Sequence, residues 1–98
     1  MKLNWTINNS RAVNKQAARL NKKILFILRL LFEDLANKGP ALPDWPNYGK
    51  LHGKKNIDKR HCHLQNGKPT YVCCWEVIDK QRKIIEVYYV GTHEKAPY

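Results

Sequence analysis

RHCHLQNGKPTYVCCWEVI, residues 60–78, holds the reading on which the rest of the chain depends. The residues flanking Asn66-Gly67 are rich in β-branched and aromatic types that suit a half-buried pleated surface. Asn-Gly is a favoured two-residue hairpin turn, since both residues tolerate positive φ. Strands over residues 60–65 and 69–78 follow, and a third β-type run covers residues 83–92 after a turn at 79–82. Upstream, Ile24, Ile27, Leu28, Leu31 and Leu35 fall at helical spacing within residues 22–37. Phe26, Leu30 and Phe32 widen that stripe beyond one face, and Gly39-Pro40 stops the helix. A shorter helix carries Val13, Ala17 and Leu20 behind a cap at Asn9 or Ser10. Residues 3–8 alternate as a short strand does, and residues 40–49 form a connector bearing Pro40, Pro43, Trp45, Pro46 and Tyr48. The order β-α-α-β-β-β predicts an α+β fold in one domain, 1–98, with a helical hairpin packed on a three-stranded antiparallel meander.

Eighteen Lys and Arg against eight Asp and Glu give a formal charge of +10 and a pI near 9.7 in 98 residues. Such an excess attracts polyanions, nucleic acid before anionic membrane. A hydrophobic fraction of 43% argues against disorder. The opening ten residues lack the apolar run of a secretion signal. The apolar stretch 24–32 contains Arg29 and has about half the length a bilayer requires. Three cysteines, Cys62, Cys73 and Cys74, are an odd number with two adjacent, which speaks against a disulfide framework. A cytoplasmic protein without a membrane partner is expected.

Register follows from the turns. A two-residue turn at Asn66-Gly67 sets His63 against Thr70 and His61 against Val72, and the next turn sets Val72 against Tyr89. Alternation then collects His61, His63, Thr70, Val72, Tyr89 and His93 on one face. Cys62, Leu64, Tyr71, Cys73, Trp75, Val77, Ile84, Tyr88 and Val90 go to the other, as the helix-covered core. A single histidine in a strand is most often solvent-facing or hydrogen-bonded. Three on one face beside the basic loop of Lys50, Lys54, Lys55, Lys59 and Arg60 suggest proton transfer on a polyanion, because imidazole titrates near neutrality. A zinc site at His61-Cys62-His63 with Cys73-Cys74 competes. Alternation separates those ligands, however, and no Cys-x-x-Cys spacing is present, so neither metal nor cofactor is expected.

Lys50-Leu51-His52-Gly53, Arg60-His61-Cys62-His63-Leu64, the strand Trp75-Glu76-Val77 and then Val90-Gly91-Thr92-His93 together resemble the RelE/ParE toxin superfamily, and YafQ-like members in particular. The resemblance spans the chain in element order and residues 50–98 in motif. It implies the toxin of a toxin–antitoxin pair, an endoribonuclease (mRNA interferase) that cuts mRNA in the ribosomal A site. The implied partners are the ribosome with its 16S rRNA, mRNA and a cognate antitoxin. By position it implies catalytic roles for His63, His93, His61 and Tyr98. Thr70 and Val72 depart from an Asp of YafQ and an Arg of RelE, which leaves phosphate charge to Lys54, Lys55 or Arg60, with Lys50 and Lys59 gripping RNA. RNA brings its own 2′-OH nucleophile, so one neutral and one protonated imidazole suffice, giving a 2′,3′-cyclic phosphate and a 5′-OH. His61, Lys54 and Lys55 would add positive charge to the non-bridging oxygens. Two rivals stand beside this reading: a ParE-like gyrase inhibitor, which has no use for three histidines on one face, and an RNA-binding module without chemistry. The wide apolar girth of residues 24–32 and the open sheet edge offer an antitoxin somewhere to dock.

Overall fold

The computed structural model describes residues 4–53 and 55–98; Lys54 and Leu3, both named above, lie outside the described residues. The chain runs β1 (Thr6–Asn9), α1 (Arg11–Ala17), α2 (Lys22–Lys38), β2 (Gly49–Leu51), β3 (Lys59–Gln65), β4 (Tyr71–Asp79), β5 (Ile84–Thr92) and a 3-10 turn, His93–Lys95. The α+β order is the expected one.

Local chemistry explains the helix ends. Ser10 accepts from the Val13 amide at 3.2 Å and Asn21 from the Ile24 amide at 2.9 Å, each satisfying an otherwise orphaned donor. Gly39 ends α2 at φ 89°, and a Cβ there would stand 2.8 Å from Trp5 Nε1. Glycine is required on both counts. Val13, Ile24, Leu28, Leu31 and Leu35 are fully buried against Cys62, Leu64, Cys73, Trp75, Ile85, Val87 and Val90 of the sheet. Phe26 and Leu30, four residues apart on α2, remain 62% and 42% exposed.

The sheet has five strands in the order β1-β5-β4-β3-β2. The meander β3-β4-β5 is extended at both edges. β1 pairs parallel to β5, and the three-residue β2 pairs antiparallel to β3 within the stretch read as connector and basic loop. The β3–β4 connection is longer than a two-residue turn: His63 opposes Val72 and His61 opposes Cys74. Val72 in turn opposes Gly91, and Cys74 opposes Tyr89. Each register is two residues from the expected one, and an even shift keeps every side chain on its face.

A bulge between β4 and β5 does change a face. Cys74 pairs with Tyr89 but Trp75 pairs with Val87, so Tyr88 is the extra residue. Tyr88 therefore packs with Val72, Cys74 and Tyr89 on the histidine side rather than in the helix-covered core. Ile85 and Val87 take the inward positions expected of Ile84 and Tyr88.

Candidate active site

β3 lies between β2 and β4, and its alternation sends Lys59, His61 and His63 to the face away from the helices while Arg60, Cys62 and Leu64 point toward them. The chain turns immediately after β5, where the His93 amide donates to the Thr70 carbonyl at 2.9 Å. The Thr70 hydroxyl in turn donates to Gly67 O at 2.8 Å, so the β3–β4 loop and the 3-10 turn are tied to each other. Beyond the turn, Ala96 packs on the Val72, Cys74 and Tyr89 cluster, and the tail returns across the sheet.

Four rings meet as a result. His61 and His63 lie 6.5 Å apart between centroids, His63 and His93 5.6 Å, His93 and Tyr98 5.7 Å, and Tyr98 and His61 5.0 Å. The circuit closes on itself, with residues from one strand, one 3-10 turn and the tail. Tyr98 is half exposed, so the ring cluster is open to solvent. Gly49 faces His61 across the β2–β3 pair, and a Cβ there would already touch the imidazole Nε2 at 3.5 Å.

The four rings are not electrostatically alike. His61 Nδ1 is buried without a hydrogen-bond partner. Burial first, then the neighbouring His63 and His93, holds its pKa below the ordinary histidine value. His61 is thus neutral at pH 7, unlike the cation expected of it. Tyr98 is pushed up, mainly by desolvation, and keeps its proton. The His63 Nδ1 is hydrogen-bonded to the side-chain oxygen of Asn66.

The basic residues divide between the faces. Lys59 stays on the histidine side, its ammonium 5.0 Å from the centroid of the Tyr88 ring. Lys55 is exposed in the turn before β3. Arg60 is not available to phosphate: only 9% exposed, it donates through Nε and one terminal nitrogen to Asp58 at 2.9 and 2.8 Å, and through the other to the Tyr48 hydroxyl at 2.9 Å. The bond to Arg60 holds the Asp58 carboxyl below its usual range. Lys50 opposes Arg60 in the ladder and lines a cleft with Asn56, Asp58 and Lys80, away from the histidines.

Two further groups at the site belong to residues read only as a turn in the sequence, the Asn66 side chain and the Gly67 carbonyl that accepts from Thr70. The hollow beside His93 is lined by Gly67, Lys68, Pro69, Thr70, Thr92 and Glu94. Cys74 lies directly beneath the ring circuit and Cys62 and Cys73 on the other face, all three free. Burial pushes the Cys74 thiol up to about 12, and Cys62 and Cys73 are raised further still. They are packed thiols rather than nucleophiles. Among the described residues, no group of three His, Cys, Asp or Glu is arranged to hold a metal ion. No helix among them is long and apolar enough to cross a membrane.

No family model matches the chain, and no curated protein does. Solved structures do. A chain of the archaeal RelE–RelB complex from Pyrococcus horikoshii OT3 superposes with a TM-score of 0.75 at 16% identity, covering 94% of this chain and 98% of that one. The isolated E. coli RelE toxin superposes with a TM-score of 0.62 at 19% identity, over 95% and 88% of the two chains. At such identities the likeness concerns architecture, and on that ground, with the element order and sheet described above, this protein has the RelE fold.

Proposed function

We propose that the protein is the toxin of a toxin–antitoxin pair and that it acts as an endoribonuclease on ribosome-held mRNA. The observation that carries this reading is the closed circuit of His61, His63, His93 and Tyr98, with successive centroids 5.0–6.5 Å apart and the half-exposed Tyr98 at its edge. His63 and His93 lie edge-on with centroids 5.6 Å apart, close enough for both imidazoles to reach one phosphodiester laid over them. One of them takes the 2′-OH proton as the 2′-oxygen bonds to phosphorus. The P–O5′ bond then breaks, and the other imidazole protonates the departing 5′-oxygen. Acid–base help of this kind supplies about 10² to 10⁴-fold per group.

Lys59 and Lys55 supply positive charge toward the phosphate oxygens, the part that neutral His61 cannot play. Tyr98, half exposed and edge-on to His93, is suited to stacking on a nucleobase. The remaining surface lysines and arginines hold ribosomal RNA without reading its sequence. The archaeal neighbour is a complex of RelE with RelB. By likeness, an antitoxin covers this chain too, and the exposed pair Phe26 and Leu30 on α2 is a docking surface for it.

Primer extension on a transcript after induction tests the reading. Breaks within the translated frame are expected, and the His63→Ala, His93→Ala double variant abolishes them while still co-sedimenting with ribosomes. An intact transcript with the native protein, or growth arrest that survives in the double variant, overturns it.

A further inference from the structure

The β3–β4 loop contains a side chain whose presence the backbone does not explain. A two-residue hairpin would want Asn66 for its tolerance of positive φ. In the fold that conformation belongs to Gly67, at φ 129°, while among the described residues the non-glycine positions with positive φ are Asn47, Asn56 and Lys83. The loop thus places no conformational demand on asparagine at 66. The side chain instead reaches back three residues, and its Oδ1 meets His63 Nδ1.

An amide oxygen accepts and never donates. Neutral His63 must then carry its proton on Nδ1, which leaves the lone pair on Nε2, at the far edge of the ring. The titratable groups that surround this ring are His61 on the same strand and His93 in the 3-10 turn. Val72 faces it from β4, and the His63 backbone amide donates to the Pro46 carbonyl of the connector at 2.8 Å. No hydrogen bond among the described residues fixes the His93 ring in the same manner.

We propose that Asn66 is a positioning residue that selects the Nδ1-protonated tautomer of His63, and so makes His63 the base and His93 the acid. The proposal rests on the nuclease reading above and gives the two imidazoles distinct parts. The 2′-OH proton passes to His63 Nε2 while the 2′-oxygen forms its bond to phosphorus. The electron pair of the breaking P–O5′ bond goes to O5′, which takes the proton of His93. As His63 becomes an imidazolium, Asn66 Oδ1 still accepts from Nδ1, now as a charge-assisted bond that strengthens as the transition state is approached.

Two measurements on the full chain test this. Long-range proton–nitrogen NMR of the imidazoles, assigned with a His63→Gln variant, reads the tautomer without any activity. Neutral His63 is expected as the Nδ1-H form in the native protein and in Asn66→Asp, which keeps the acceptor, and as the Nε2-H form in Asn66→Ala. An Nε2-H signal in the native protein, or an unchanged tautomer in Asn66→Ala, overturns the proposal. The second is the pH profile of mRNA cleavage. Asn66→Ala is expected to lower kcat by about 10²-fold with KM unchanged. Asn66→Asp restores most of kcat and moves the acidic limb upward by about 1 pH unit, because a carboxylate stabilises the imidazolium. Equal kcat in native protein and Asn66→Ala, with superimposable limbs, also overturns it. Should the native protein cut no RNA, the nuclease reading fails while the tautomer result still decides whether Asn66 orients His63.

Discussion

His61 differs from its neighbours in what the fold does to its proton. The unfolded chain's imidazole takes a proton near 6.5, whereas burial defers protonation of the folded one to lower pH. Below about 6.5 the unfolded state therefore binds more protons than the native state, and stability falls as pH drops. Urea unfolding of the native protein should show a lower midpoint at about pH 5.5 than at about pH 7.5. His61→Gln should flatten that difference, and an equal pH response in the two proteins would remove His61 as its source. That His61 and His63 share a face was legible in the sequence because they are two residues apart on one strand, and the register error was also two. That His61 would be desolvated was not legible. It depends on Tyr98 folding back and on Gly49 lying opposite, and neither contact leaves a trace in local periodicity.

Among the elements, the helices were the most legible, since polar caps at Ser10 and Asn21 and the Gly39 stop act within a few residues of themselves. The bulge at Tyr88 was hidden because Tyr88, Tyr89 and Val90 are all acceptable on either face of a strand. Three-residue β2 was hidden because it is too short to alternate, and with it went the true role of Arg60. A cation in a basic loop looks like a phosphate ligand until the strand is known to turn it inward, onto Asp58 and Tyr48. Removing Asp58 from this largely buried pair leaves the guanidinium uncompensated. Asp58→Ala should destabilise the fold by on the order of 3 kcal/mol in chemical denaturation. Ribosome affinity of the folded fraction should be unchanged. A variant of native stability with weakened ribosome binding would return Arg60 to the RNA surface.

For the whole molecule, the charge of +10 was plain from composition, but its division between faces depends on the sheet. Lys59 and Lys55 lie toward the histidines or on the adjoining turn, while Lys50 is directed elsewhere. Affinity for ribosomal RNA should decline steeply with salt, through release of condensed counterions. Lys59→Ala should reduce the slope of log affinity against log salt by about 1, and Lys50→Ala by less. A larger loss from Lys50 would mean that RNA lies across the opposite side of the sheet.

The three sealed thiols report on how the molecule comes apart. Cys62 and Cys73 are shielded by the two helices, whereas Cys74 is covered only by the returning tail and its aromatic neighbours. An alkylating reagent can reach each sulfur only after the layer above it lifts, so labelling rates time those openings separately. Mass spectrometry should find Cys74 modified first, under native conditions, with Cys62 and Cys73 following together at the pace of global unfolding. The histidine side would then breathe while the helix-covered side stays shut.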